Sequence, residues 1–173
     1  MWIKLLGSGL TIFATSWVGF EIANHYRVRP LYLQQMQSCL QMLETEINYG
    51  LTPLPRALDK ISSIHQGPVG DFFRDVHQNL TSTPGATVRE AWKKSLDKLF
   101  APLYLSNADY HILVNFGMTL GISDRYDQVK HLKLVMAQMA SAETQAREAK
   151  EKNERMYKSL GFLSGLAVVI LLY

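Results

Sequence analysis

Between Arg29 and Leu58 the chain spells out one complete helix, its stop signal and the start of a second helix. Leu33, Met36, Leu40, Leu43 and Ile47 recur at alternating spacings of three and four, which lays one apolar stripe along an α-helix. Gln34, Gln37, Gln41 and Glu44 fall mainly off that stripe. Pro30 suits the first helical turn, where its missing N–H costs nothing. Tyr49-Gly50 offers a glycine for the left-handed position after the helix, and Thr52-Pro53 reads as an N-cap followed by proline at the first position of the next one. Gly50, Pro53 and Pro55 therefore predict a tight corner between two helices.

The same helical spacing continues downstream. Leu54, Ala57, Leu58 and Ile61 mark one short helix, closed by His65-Gln66-Gly67-Pro68, and Val69, Phe72, Phe73, Val76 and Leu80 mark the next. Thr81 to Gly85 reads as a loop. Thr87-Val88-Arg89-Glu90 fits a capping box ahead of Ala91, Trp92, Leu96 and Leu99. Ala101-Pro102 breaks that helix, and Ser106-x-x-Asp109 can cap another that ends at the glycine turns Gly117 and Gly121. Ser123 is the expected cap of a long final helix whose stripe is Tyr126, Val129, Leu132, Met136 and Met139, fading through Glu143 and Ala146 into a charged, solvated stalk with pairs Glu148–Lys152 and Glu151–Arg155. No segment alternates convincingly at period two, so the fold class is all-α.

A mean hydropathy of −0.04 conceals two apolar ends around a polar middle. Trp2 to Phe20 is apolar or small except for Lys4, about the length a bilayer core of roughly 30 Å asks of a helix. A cleaved signal peptide ending near Ala14-x-Ser16 is the competing reading, against which Trp17, Val18 and Phe20 continue the apolar run. The expected organisation is a transmembrane helix over 1–23, a cytoplasmic bundle with its stalk over 24–156, and a second transmembrane helix over 157–173. His25, Arg27 and Arg29 on one side and Lys150, Lys152, Arg155 and Lys158 on the other put that bundle in the cytoplasm by the positive-inside rule. Gly7, Thr11, Thr15 and Gly19 at four-residue intervals, and Gly161 with Gly165, are candidate packing stripes between membrane helices.

With a formal net charge of +3 spread over both signs, a dedicated nucleic-acid surface is not expected, and Lys93, Lys94 and Lys98 read as a solvated helix face. The single cysteine, Cys39, excludes an intramolecular disulfide. Zinc-protease, phosphate-loop, dinucleotide and nucleophile-elbow motifs are missing, and no cofactor is expected. The best acid–base constellation is Asp71, Asp75 and His77, with Asp127 and His131 as an i, i+4 surface pair. Met118, Met136 and Met139 read as core filler.

The glycine-then-proline corner of residues 50–58 resembles that of type II secretion F domains, the helical modules of inner-membrane platform proteins. Three blocks, LQMLETEINYGLTPLPRAL at 40–58, TVREAWKKSL at 87–96 and FGMTLGISDRYDQVKHL at 116–132, narrow the resemblance to the stage III sporulation AB family. That resemblance implies an F-domain-like bundle flanked by membrane helices, acting as a non-enzymatic platform in the mother-cell membrane around the forespore. It also implies a partner motor ATPase and other channel subunits. Glu44, Glu46, Arg125 and Asp127, inside the resembling blocks, are candidate partner contacts, with an internal ion pair as the other reading of Glu44 or Glu46. F-type platform proteins carry two such domains and three spans, whereas this chain has one and two, so an oligomer is expected. An anchored hydrolase built on the acidic and histidine residues, and a tethered coiled-coil adaptor, are the alternatives.

Overall fold

Six α-helices account for the ordered elements of the computed structural model, which describes residues 2–50, 52–100, 102–121 and 124–172; among these there is no strand. They are α1 (Trp2–Asn48), α2 (Leu54–Ile64), α3 (Pro68–Ser82), α4 (Val88–Leu99), α5 (Asn107–Thr119) and α6 (Arg125–Leu172). The chain divides into two compact units. One is Leu31–Glu143; the other pairs the segment ending at Pro30 with the segment beginning at Thr144.

Pro30 does not start a helix, as its position suggested, but lies inside α1. Without an N–H it cannot donate to the Tyr26 carbonyl in the helix ladder, and the unit boundary falls directly after it.

In Leu31–Glu143 the α1 stripe behaves as its spacing requires: Leu33, Met36, Leu40 and Leu43 are fully buried, with Ile47 half-buried. The centre of the core is aromatic. Trp92 meets Phe72 edge-to-face at 4.8 Å, Phe116 at 5.2 Å and Phe73 at 5.9 Å between ring centroids. Its indole N–H donates to the Leu113 carbonyl at 2.9 Å. Gly117 lies within α5 rather than at a turn because the indole rests on it; a Cβ there would stand 2.2 Å from Trp92 Cδ1.

Both capping boxes form. Thr87 Oγ1 accepts from the Glu90 amide at 3.2 Å while Glu90 accepts from the Thr87 amide at 3.1 Å, and Ser106 and Asp109 repeat the exchange at 3.2 and 2.9 Å. Ser123 lies outside the described residues, and Asp124 caps α6 by accepting from the Asp127 amide at 2.9 Å. The buried stripe of α6 is Leu132, Val135, Met139, Ala142 and Ala146; Leu132, Met139 and Ala146 are buried as their spacing requires, Val135 takes the place expected of the half-buried Met136, and Tyr126 is exposed.

The charged second half of α6 is not a lone stalk. Gly19 and Gly161 pack backbone to backbone, Tyr26 stacks on Tyr157 at 5.5 Å, and Glu154 pairs with Lys158 at 2.7 Å, whereas Glu148–Lys152 and Glu151–Arg155 form no ion pair among the described residues. Among the described residues no helix is long and apolar enough to cross a membrane. Glycine, serine and threonine dilute the first apolar segment, and the second is short.

Gly117→Ala is expected to cost about 3 kcal/mol, because the new Cβ would overlap a fully buried indole, and Trp92→Phe about 1–2 kcal/mol. Urea denaturation followed by far-UV circular dichroism reads both.

Candidate functional site

The corner predicted at Gly50 is present, but its parts are used differently. Gly50 is not in the left-handed region; it is required by space, since a Cβ would stand 2.8 Å from Thr52 Oγ1 and 2.9 Å from the Glu46 carbonyl oxygen. Thr52 does not cap α2, for its hydroxyl donates to Glu46 Oε2 at 2.7 Å, and Pro53 occupies the cap position without a side-chain bond. Pro55 sits in the first turn of α2, where its ring is tolerated. Lys60, one and a half turns along α2, reaches back to Glu46 Oε1 at 2.5 Å. The Lys60 and Thr52 hydrogen bonds hold the Glu46 carboxyl below the usual carboxylate range.

Glu44 is engaged as well, 3.7 Å from Lys133 on α6. Nearer the middle of α1, Gln37 donates to Glu143 at 3.2 Å. The two contacts run in opposite order along α1 and α6, so within Leu31–Glu143 these helices are antiparallel. The end of α1 therefore lies beside the start of α6. Gly121, with φ of 81°, turns the chain there; a Cβ on it would press on Val88 at 2.9 Å and lie 3.8 Å from Leu54 of α2.

That end of the bundle is aromatic and open. Tyr49, just past α1, and Tyr126, in the first turn of α6, are each 80% exposed, and Arg125 and Asp127 flank the second of them on the surface. Of the four candidate contact residues, then, Glu44 and Glu46 are committed to internal ion pairs while Arg125 and Asp127 face solvent. Asp127 and His131 make no ion pair among the described residues. The tyrosines escaped notice in the sequence because Tyr126 fits the α6 stripe by spacing alone, and Lys60 and Lys133 carry no local signal of their long-range partners.

The acid–base constellation does not assemble. Asp71 pairs with Arg74 on its own helix. Asp75 pairs with Lys98 of α4 and accepts from the Asn79 amide at 2.9 Å, and His77 Nδ1 donates to the Pro55 carbonyl at 2.9 Å. Burial raises the Asp75 carboxyl, but hydrogen bonds from Lys98, Ser95 and Asn79 outweigh it and hold the group low. Lys93 pairs with Asp97 at 2.7 Å, which also accepts from the Tyr110 hydroxyl at 2.5 Å. Cys39 is buried, and desolvation pushes its thiol up to about 12, so it is unreactive at neutral pH. Of the three methionines Met139 is buried, Met136 half-buried and Met118 exposed. Among the described residues no three metal-capable side chains converge.

Fold and surface together define a small all-helical module knit by long-range ion pairs, with an aromatic, charged end. The sequence profile of stage III sporulation protein AB matches residues 4–173, and this chain belongs to that family. It is 42% identical over 170 residues to stage III sporulation protein AB of Bacillus subtilis (strain 168), covering 98% of this chain and 99% of the relative. A solved structure of a stage III sporulation protein AB superposes with a TM-score of 0.68 at 36% identity, covering 72% of this chain and 98% of that one.

Glu46→Ala is expected to lower the denaturation midpoint more than Lys60→Ala, which leaves the Thr52 bond in place. The double substitution should be less than additive, because one network is lost either way. Glu46, Asp75 and Asp97 all have depressed carboxyls, so their contribution is present above the unfolded carboxylate range of about 4 and is lost as pH falls through the lower folded values. Midpoints measured from pH 7 to pH 2 should fall in that window, less steeply in Asp75→Asn.

Proposed function

We propose that this chain is a non-enzymatic platform subunit of a secretion-like channel complex needed for endospore development, fastened to the membrane by its terminal segments and engaging a partner ATPase through Leu31–Glu143. Membership of the stage III sporulation protein AB family supports the sporulation role. The observation that carries membrane attachment is an inverted burial pattern in the unit of terminal segments. Gly19 and Gly161 are buried against one another, while Phe13 (67% exposed), Trp17 (65%), Leu163 (55%) and Ile170 (71%) face outward.

In water that arrangement exposes apolar surface for no gain, whereas in lipid close backbone approach at small residues is how helices associate. Thr11 and Thr15 return their hydroxyls to carbonyls four residues earlier, at 2.8 and 3.0 Å, which satisfies them without water. Of the Gly7-Thr11-Thr15-Gly19 stripe, Gly19 and the Thr15 carbonyl meet Gly161 of the same chain, while Gly7 is exposed; the side of Gly165 lies outside the described residues. Basic residues bordering both apolar segments favour Leu31–Glu143 on the cytoplasmic, mother-cell side.

Tyr49, Arg125, Tyr126 and Asp127 are the proposed contact with the ATPase or a second platform subunit, since exposed tyrosine and arginine are the residue types that dominate interface energies. The hydrolase alternative loses its support, because Asp71, Asp75 and His77 are each held by a separate structural partner.

The full chain should float with vesicles and resist alkaline extraction; release into the soluble fraction would sink the attachment. Tyr49→Ala and Tyr126→Ala should each weaken binding of the purified ATPase about tenfold. Glu46→Ala, by contrast, should act on stability. Unchanged affinity in both tyrosine variants would remove this surface from the complex.

A further inference from the structure

Between Leu31 and Asn48, α1 carries two stripes on opposite faces. Leu33, Met36, Leu40, Leu43 and Ile47 are turned into the core of Leu31–Glu143. Leu31, Gln34, Ser38, Gln41, Thr45 and Asn48 repeat the alternation of three and four on the other side, and all but the half-buried Asn48 are exposed. That alternation keeps one seam facing a partner helix over about five turns, the spacing of a coiled coil.

The outward seam holds no charge. The charged residues of α1 in this span, Glu44 and Glu46, lie to either side of it, and each is already paired, with Lys133 of α6 and Lys60 of α2. By contrast α2, α3, α4 and α6 expose side chains of both signs. The side chains of Gln34, Ser38 and Gln41 have no partner among the described residues, and Thr45 donates to the Gln41 carbonyl of its own helix at 3.0 Å. Depletion of charge is the compositional mark of an interface centre.

The chemistry selects the occupant. A strongly charged partner would find no counter-charge on the seam, and a leucine-rich helix would bury the Gln34 and Gln41 amides unpaired. A carboxamide both donates and accepts, so an identical seam answers each glutamine with its own kind and brings no like charges together. We infer that the seam is covered by α1 of a second copy, the two helices lying parallel and in register about a twofold axis. The direction rests on the membrane attachment proposed above, because chains fastened by the same terminal segments share one orientation in the membrane. One helix face is smaller than the ~800 Å² that each partner of a standard interface buries, and a polar seam is weaker than a leucine seam. The pairing is therefore reversible and depends on confinement to one membrane. It leaves Arg125, Tyr126 and Asp127 open to the ATPase.

The full chain, reconstituted in vesicles as Gln34→Cys or Thr45→Cys and treated with copper phenanthroline, should form like-with-like disulfides about tenfold faster than Asn107→Cys, at the exposed start of α5. Cys39 is buried and stays out of the reaction. Mixing the two variants should give no disulfide between positions 34 and 45, which lie about 16 Å apart along parallel helices. Ser38→Glu added to the Gln34→Cys chain should slow its disulfide about fivefold, the reach of one exposed charge pair, and mixing with the matching Ser38→Lys chain should restore it. Rates no higher than Asn107→Cys, a predominant disulfide between positions 34 and 45, or indifference to Ser38→Glu overturns the pairing. A chain that floats with vesicles but fails these tests fails the pairing alone; one that does not float fails the attachment and the pairing with it.

Discussion

Everything in Leu31–Glu143 depends on an indole seated against a helix backbone. Trp92 reaches Phe72 and Phe73 on α3 and Phe116 on α5, and it spends its only polar atom on the Leu113 carbonyl. This is possible because Gly117 removes the side chain that would otherwise hold α5 away. Three helices are drawn to one ring. Around that centre the short helices α2 to α5 need little intrinsic stability, since each is only 11 to 15 residues long and buries one face. The capping boxes at Thr87 and Ser106 settle where two of them begin, and so which face they turn inward.

Around the aromatic centre the long helices are clasped by charge. Glu46 ties the end of α1 to α2 through Lys60, and Glu44 ties α1 to α6 through Lys133. Exposed ion pairs are worth little individually. Their value here is geometric, for they hold the α1–α2 corner and the start of α6 at one end of the bundle, where Tyr49 and Tyr126 remain outside. An acidic pair that looks like a recognition motif in the sequence is a fastener, and the surface it fastens is the better candidate for recognition.

The terminal segments follow a different rule. They meet backbone to backbone at Gly19 and Gly161, large apolar side chains such as Phe13, Trp17 and Ile170 are exposed, and polar residues gather where aromatic surface ends. A water-soluble helix pair buries its large residues and exposes its small ones. The reversed order is the physical ground for reading these segments as partners of lipid, and Pro30 stands where the two regimes meet.

Much of this was legible in the residues themselves. The α1 stripe, the two capping boxes, the short helices between Pro53 and Gly121, and the absence of strands all follow from periodicity and end signals, which are local properties of the chain. The burial of Val135 in place of Met136, the seating of Trp92 on Gly117, the use of Thr52 by Glu46 and the choice of Lys60 and Lys133 as partners of the two glutamates were not legible. Each is decided by residues distant in sequence. A stripe read by spacing admitted Tyr126 as readily as Leu132, and only the assembled bundle buried the one and left the other outside. Local hydrogen bonding and apolar period are written along the chain; which neighbour fills a given space is settled only when the helices meet.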